Sequence, residues 1–203
     1  MTEKEKMLAG KIYNPNIFDL VKMREKGHKL CKLFNALGEE ESEKRSEVLD
    51  EMGIKLGKNV YLTGPIYFDY GCHISIGENT YANFNLTILD TCPVEIGKNV
   101  FIGTGVSIVT PLHPLRYQDR NCYVHEDGYV TDKEYGKPIK IEDNCWIASN
   151  VTICGGVTIG SGSVIGAGSV VTRSIPKNSL AVGNPCRVIR EITEDDRIKG
   201  ELL

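Results

Sequence analysis

Long apolar segments are absent from the 203-residue sequence. No run approaches the roughly 20 apolar residues that a membrane-spanning helix requires. The first eleven residues are charged and lack the apolar stretch of a signal peptide. The net charge is −3, which disfavours a broad surface for nucleic acids. We therefore expect a cytoplasmic protein with no membrane or nucleic-acid partner, whose local basic groups still suit a phosphorylated small molecule.

Disulfide and metal patterns are missing as well. The seven cysteines are odd in number and scattered, and no two are spaced as Cys-x-x-Cys, so we expect reduced thiols. The four histidines form no cluster with the spacing of zinc ligands. We expect no metal site. His28 stands among lysines on a predicted helix, and we interpret it as a solvated surface residue.

Glycine is scarce in the first 55 residues, where lysine and glutamate dominate. The spacing of an amphipathic helix links six apolar residues: Leu20, Met23, Leu30, Leu33, Phe34 and Leu37. Asn16 is a candidate cap for its start, and Gly38 is a candidate end. A second helix is predicted over 46–52. Two such helices bury little alone, so residues 1–55 are predicted to form a helical module that docks on something larger.

A six-residue repeat runs through the remaining sequence and decides the predicted fold. It is clearest where isoleucine recurs at 141, 147, 153, 159 and 165. The same phase is found earlier at Leu56, Leu62, Phe68, Ile76, Ala82, Ile88, Ile96, Ile102 and Ile108. Two extra residues separate these earlier triplets. Consecutive triplets therefore start 20 residues apart, whereas Ile141 and Ile159 lie 18 apart.

This period predicts a parallel solenoid shaped like a triangular prism. A strand of about six residues spans one face, and three faces close one coil. The aliphatic residue that starts each unit points inward and stacks on its equivalent in the next coil. Glycine and asparagine supply the positive-φ corners. The pattern fits neither an amphipathic helix nor a sandwich, so we predict a mainly β protein with about five coils over 56–190, followed by a tail over 191–203.

The repeat is interrupted once, by a polar excursion over 111–137. Excursions of that length in a compact domain are usually functional or disordered. His113 lies where the solenoid gives way to this loop, and Pro114 restricts it to extended conformations. Histidine is a common general base near neutral pH. From these observations His113 is either such a base or a turn residue without a role.

Five further segments follow one another in a fixed order: 7–13 (MLAGKIY), 65–71 (PIYFDYG), 81–87 (YANFNLT), 110–114 (TPLHP) and 181–190 (AVGNPCRVIR). Together with the hexapeptides they resemble the maltose, galactoside and nodulation-type sugar O-acetyltransferases over nearly the whole chain. The resemblance implies a left-handed β-helix, acetyl-CoA as cosubstrate, and homotrimers with active sites between subunits. It also implies transfer of an acetyl group to a sugar hydroxyl.

The same resemblance assigns roles to individual residues. His113 matches the catalytic base, and the backbone N–H of Ser149 matches the donor to the oxyanion. Asp69 and Asn83 match positions that contact the acceptor, although Asn83 also suits a solenoid corner. Glu134, at the end of the loop, either orients His113 or the acceptor, or is a solvated loop charge.

Coenzyme A is expected along the later coils. The small residues Ala148, Ser149, Ala167 and Thr172 match positions near the pantetheine arm, and solenoid corners need small residues as well. Three basic residues match positions near the nucleotide phosphates: Arg173, Arg187 and Arg190. Trp146 either walls the thioester end of the site or packs between coils.

Two departures leave the acceptor open. The galactoside enzymes carry a second aspartate where this chain has Thr91, and another where it reads Asn14-Pro15-Asn16. Both positions touch acceptor recognition in that family. The sequence therefore predicts acetylation of maltose, glucose or a related glycoside, with an antibiotic or other xenobiotic hydroxyl as the alternative acceptor. A non-catalytic scaffold is the third reading, and the presence of His113, Asn83 and the three arginines argues against it.

Overall fold

Three helices form the N-terminal part of the computed structural model, which describes residues 1–198: α1 (Glu3–Leu8), α2 (Phe18–Ala36) and α3 (Ser42–Met52). Helix α1 was not predicted; Thr2 and Glu5 form a capping box at its start. The prediction for Asn16 is wrong, because Ile17 precedes α2 and no side chain caps it. Helix α2 ends two residues before Gly38, and α3 begins four residues before the predicted start.

Twenty-one short strands follow within the described residues. The solenoid strands before the loop are β1 (Lys55–Leu56), β2 (Tyr61–Leu62), β3 (Ile66–Phe68), β4 (Ile74–Ile76), β5 (Tyr81–Ala82), β6 (Leu86–Leu89), β7 (Val94–Ile96), β8 (Phe101–Ile102) and β9 (Ser107–Val109). The loop contains β10 (Pro111–Leu112), α4 (Tyr117–Arg120), β11 (Tyr123–Val124), β12 (Val130–Thr131) and β13 (Tyr135–Gly136). The strands after it are β14 (Ile139–Ile141), β15 (Trp146–Ile147), β16 (Thr152–Cys154), β17 (Thr158–Ile159), β18 (Val164–Ile165), β19 (Val170–Val171), β20 (Ser179–Val182) and β21 (Arg187–Glu191), and a 3₁₀ turn spans Glu194–Asp196.

The solenoid strands make three parallel faces, as predicted. The first face has the order β1-β4-β7-β14-β17, and the third has β3-β6-β9-β16-β19. The second face, β2-β5-β8-β15-β18-β20, also carries β21 as an antiparallel edge. Five coils are complete, and Ile175 and β20 begin a sixth. The predicted inward rows are confirmed, since Ile96 aligns with Ile141 across the loop and the isoleucines of these rows are buried.

The corners confirm the roles predicted for asparagine and glycine. At the first corner, between the first and second faces, Asn79, Asn99 and Asn144 have φ near +55°. The second corner, between the second and third faces, uses Asn85, Gly105, Asn150 and Gly168 with positive φ. The third corner lies between the third face and the first face of the next coil. The two extra residues of each early coil lie at this corner, where Asp90 is buried. This buried carboxylate accepts from the backbone N–H groups of Tyr70 (2.8 Å) and His73 (3.1 Å).

The helical module docks on the open side of the first coil. The Asn35 amide of α2 donates to the carbonyl of Ile66 (2.9 Å) and accepts from its N–H (2.7 Å). The buried Arg45 of α3 donates to the carbonyls of Leu62 (2.7 Å) and Thr63 (2.6 Å). Side chains thus replace the strand that would otherwise pair there. No helix within residues 1–198 has the length and apolar character of a membrane span. The predicted tail extends beyond residue 198, so its end lies outside the described residues.

Candidate active site

The predicted site residues divide between two corners of the prism. Asn83, Ala148, Ser149 and Ala167 lie at the second corner, directly after aligned strands of the second face. Asp69 lies at the third corner, directly after β3, and His113 follows β10 where the chain leaves the same corner two coils later. Thr172 and Arg173 follow β19 at this third corner.

The loop returns to the third corner through two antiparallel pairings. Strand β10 pairs with β13, so Leu112 aligns with Tyr135. Glu134 pairs with Tyr13 of the N-terminal segment; the N–H of Tyr13 donates to the Glu134 carbonyl at 2.9 Å. The end of the loop is therefore held between the solenoid and the N-terminal module. This arrangement sets Glu134 beside His113.

His113 has one ring nitrogen close to a carboxylate. Its Nδ1 lies 3.3 Å from Oδ2 of Asp132, and the imidazole side chain is 48% exposed. A neutral imidazole whose Nδ1–H faces a carboxylate has its Nε2 lone pair available for a proton. Sequence reasoning missed Asp132, because it is one polar residue in a polar loop and follows no repeat.

Glu134 is half-buried, so the reading of it as a solvated loop charge is wrong. Burial raises the pKa of its carboxyl above the usual range. A hydrogen bond from Tyr13 and the nearby His113 lower that pKa, whereas the charges of Asp132 and Asp69 raise it further. Glu134 therefore lies close enough to His113 and Asp69 for their charges to affect its pKa.

Asp69 lines a pocket between α2 and the third face. The pocket has a volume of about 330 Å³, and its wall includes His28, Lys32, Tyr67 and Leu89. Burial raises the pKa of the Asp69 carboxyl, and the adjacent His28 opposes that shift. His28 is an exposed surface residue, as predicted, and its Nε2 also lies 3.4 Å from Oδ1 of Asp69, a contact that was not predicted. A contact between residues 41 positions apart leaves no local signal in the sequence.

The second corner is built from small residues with free backbone groups. The Ser149 N–H makes no hydrogen bond within the described chain, and neither does that of Thr104 one coil earlier. Asn83 does not take the positive φ of a corner residue; Asn85 does. The side-chain amide oxygen Oδ1 of Asn83 accepts from the backbone N–H of Phe84 at 2.7 Å, which leaves the side-chain NH₂ group free to donate.

The remaining predicted residues are spread over the outer surface. Trp146 is 54% exposed on β15, aligned with Phe101 and Val164, so the alternative that it packs between coils is wrong. Arg173 and Arg187 are exposed, while Arg190 forms a two-point ion pair with Asp196 at 2.6 and 2.8 Å. Arg190 must leave that partner before it can meet a phosphate.

The two positions that depart from the galactoside pattern are buried. Thr91 is 2% exposed and Asn14 is 9% exposed. The Asn14 amide donates to the hydroxyl of Tyr129 (2.9 Å) and accepts from that of Thr131 (2.6 Å). Asn14 therefore joins the N-terminal segment to the loop.

The two corners do not meet within one chain. A face of five to six residues at about 3.3 Å per residue separates them by roughly 15–20 Å. The described residues contain no group of three or more histidines, cysteines or carboxylates arranged to hold a metal ion. The third corner brings an imidazole together with three carboxylates, those of Asp132, Glu134 and Asp69, and such groups are able to transfer protons.

Comparisons with known proteins match both halves of the chain. The family model for the maltose acetyltransferase hexapeptide capping motif matches residues 6–52, and that for the bacterial transferase hexapeptide (six repeats) matches residues 138–173. The galactoside O-acetyltransferase of Escherichia coli (strain K12) is 43% identical over 97% of this chain and 93% of its own length.

Solved structures agree over almost the full length. A maltose O-acetyltransferase from Clostridium difficile 630 superposes with a TM-score of 0.86 and 48% identity, covering 96% of this chain and 99% of that one. A galactoside acetyltransferase in complex with coenzyme A gives a TM-score of 0.85 and 42% identity, covering 97% and 94%. A hexapeptide-repeat acetyltransferase from Vibrio cholerae, complexed with acetyl-CoA, gives 0.81 and 33%, covering 96% and 100%.

Proposed function

Because the chain belongs to the maltose and galactoside O-acetyltransferase family, an acetyl-CoA-dependent family, we propose that it acetylates a hydroxyl of a sugar such as maltose or glucose, with His113 as general base. The observation that carries the proposal is the third corner itself. There an imidazole on a rigid edge lies beside the half-buried Glu134 and the pocket of Asp69. Carboxylates and amides suit sugar hydroxyls, which both donate and accept hydrogen bonds.

In the proposed mechanism His113 takes the proton from the acceptor hydroxyl through Nε2. The hydroxyl oxygen then attacks the carbonyl carbon of the acetyl thioester. The Ser149 N–H stabilises the negative oxygen that results; such a donor is worth about 3–4 kcal/mol where it has been removed in other enzymes. When the C–S bond breaks, His113 returns its proton to the departing sulfur. Asp69 and Asn83 orient the acceptor.

The second corner suits the pantetheine arm of acetyl-CoA. Gly103, Ala148 and Ala167 are small, and the free N–H groups of Ser149 and Thr104 suit the carbonyl groups of an extended chain. Arg173, Arg187 and Arg190 are the basic groups proposed for the nucleotide phosphates. The exposed Trp146 provides an apolar wall near the reacting end.

A second copy of the chain is part of this proposal. In this mechanism Ser149 and His113 act at the same reacting centre, yet roughly 15–20 Å separates their corners within one chain. The second corner of a neighbouring copy, set against the third corner, brings them together. A closed ring of three copies gives each chain one such interface on either side. We therefore propose a homotrimer with three shared active sites.

The first test measures release of the CoA thiol from acetyl-CoA in the presence of maltose, glucose, galactosides and chloramphenicol-like acceptors. We expect turnover with a sugar and a fall of about 10²–10⁴-fold in kcat/KM for His113→Ala. His125→Ala, in the same loop, is the matched control and should keep its activity.

Each other outcome has a defined meaning. Unchanged turnover in His113→Ala would show that His113 is not the general base. Turnover with chloramphenicol-like acceptors alone moves the acceptor to the xenobiotic class, which the departures at Asn14 and Thr91 leave open. No turnover with any acceptor contradicts the proposal and favours a scaffold.

A further inference from the structure

We propose that Asp132 is a positioning residue for His113, and that the buried Asn14–Thr131 pair holds the segment that carries it. Asp132 keeps the proton of the neutral imidazole on Nδ1, so that Nε2 faces the acceptor as the base. This inference rests on the proposed function, because it concerns the same histidine. It gives a role to a loop residue and to an N-terminal residue that the mechanism above does not use.

The contact between the two side chains supports the proposal. Oδ2 of Asp132 lies 3.3 Å from Nδ1 of His113, and the Asp132 side chain is 22% exposed. A carboxylate accepts and cannot donate, so its proximity to Nδ1 favours the tautomer protonated at that nitrogen. It also stabilises the imidazolium that forms when Nε2 takes a proton. Catalytic contacts of this kind are often long before substrate binds and shorten in the complex.

The chain on either side of Asp132 is anchored. On one side, Thr131 is fully buried, and its hydroxyl donates to the amide oxygen of Asn14 at 2.6 Å. On the other side, Glu134 pairs with Tyr13 through both backbone hydrogen bonds. These two anchors tie the segment 131–134 to the N-terminal residues 13–14. Asp132 is thereby held opposite His113 although it lies in a loop.

Both polar atoms of the Asn14 side chain already have partners within the chain. Its Nδ2 donates to Tyr129, its Oδ1 accepts from Thr131 and from the N–H of Asn16, and its own N–H donates to Glu3 at 2.6 Å. The Asn14 side chain thereby acts as a clamp between the N-terminal segment and the loop residues Tyr129 and Thr131.

Two other carboxylates lie near His113, and neither replaces Asp132. Glu134 is engaged by Tyr13, and Asp69 is engaged by His28. All three carboxylates and Tyr13 lie near His113. The pH dependence of activity therefore reflects the titration of these groups together and does not isolate Asp132. The decisive readouts are therefore the tautomer of His113 and the separation of kcat from KM.

The main test compares the full-length wild type with Asp132→Asn. The asparagine keeps the shape but presents an NH₂ group that can donate to Nδ1 and select the other tautomer. We expect kcat to fall about 10–100-fold with the KM for acetyl-CoA unchanged, since only the base is affected. Nitrogen NMR of the histidine rings should show His113 protonated at Nδ1 in the wild type and shifted toward Nε2 protonation in the variant.

The loop supplies a matched control. His125 and Asp127 form a second histidine–aspartate contact at 3.1 Å in the same excursion. Asp127→Asn should leave kcat and the tautomer of His113 unchanged. Asp132→Glu keeps the charge, and we expect it to recover part of the lost kcat. Unchanged kcat and an unchanged His113 tautomer in Asp132→Asn would overturn the proposal.

The clamp is tested with Thr131→Val, which keeps the shape of the side chain and removes its hydroxyl. If Thr131 acts through Asp132, the losses of kcat in Thr131→Val and Asp132→Asn will not add in the double variant. Additive losses contradict the clamp. Thermal unfolding of each variant separates a local effect from a loss of folded protein.

Failure of this inference and failure of the proposed function are distinguishable. If His113→Ala loses activity but Asp132→Asn does not, only the positioning role is wrong. If His113→Ala keeps its activity, the base itself is wrong. The NMR readout then still reports whether Asp132 selects the tautomer.

Discussion

The second and third corners of the prism carry the proposed site, and they are built in opposite ways. The second corner repeats one local solution in the second to fifth coils, with small residues and positive φ at Asn85, Gly105, Asn150 and Gly168. The third corner is assembled once, from α2, the N-terminal segment and the end of the loop around His113. Regular backbone geometry thus provides the proposed coenzyme surface, whereas long-range side-chain contacts provide the proposed proton-transfer centre.

This difference explains which features were predictable. The repeat predicted the faces, the inward rows and the corner asparagines, because each coil imposes the same local constraint. His113 was predicted from its place at the break in the repeat and from the motifs around it. Asp132, the buried clamp of Asn14 and the contact of His28 with Asp69 were missed. Their partners lie 19 to 117 positions away in the sequence, and nothing local marks them.

The largest effect is expected when the second corner is inactivated in one chain and the third corner in another. His113→Ala and Ser149→Pro should each be nearly inactive, the second because proline removes the N–H of residue 149. If each site takes one corner from each of two copies, mixed oligomers regain about a quarter of the wild-type sites. The measurement is activity after the two variants are unfolded together and refolded.

Two controls accompany that experiment. Ser149→Ala keeps the backbone N–H and should stay active, and the double variant mixed with itself should stay inactive. No recovery in mixtures whose oligomers are intact by gel filtration would show that both corners of a site belong to one chain.

A smaller effect is expected when the regular part is damaged without touching the site. Ile153 is fully buried in the inward row of the third face, between Ile108 and Val171. Ile153→Ala should lower the free energy of unfolding by about 2–5 kcal/mol, through lost burial and the cavity left behind. Urea unfolding at fixed protein concentration measures this, and Lys140→Ala, exposed on the outer face of β14, is the control. A loss below 0.5 kcal/mol would contradict the stacked core.

The smallest effect concerns the cost of burying charge at the third corner. Because burial raises the pKa of Glu134, the folded state binds the proton more tightly than the unfolded state. Stability therefore falls as the pH rises from the ordinary glutamate value of about 4.3 through the raised pKa, and the loss persists at neutral pH. Glu134→Gln should unfold at a slightly higher temperature than the wild type at pH 7.

The sign of that effect can be checked by acidification. The difference between wild type and Glu134→Gln should close as the pH falls below about 4.3, where both side chains are neutral. Glu126→Gln, exposed in the same loop, should give no difference at either pH. A variant less stable than the wild type at pH 7 would show that the Tyr13 hydrogen bond outweighs the burial.

The contact of Asn35 with Ile66 has a consequence for assembly. A stack of parallel strands ends in a row of unpaired N–H and C=O groups, and such a row is a template on which another chain can grow. The amide of Asn35 occupies both backbone groups of Ile66, and Arg45 occupies the neighbouring carbonyls. The helical module therefore blocks the addition of another strand at these backbone groups. It disfavours end-to-end joining of copies at this end of the prism.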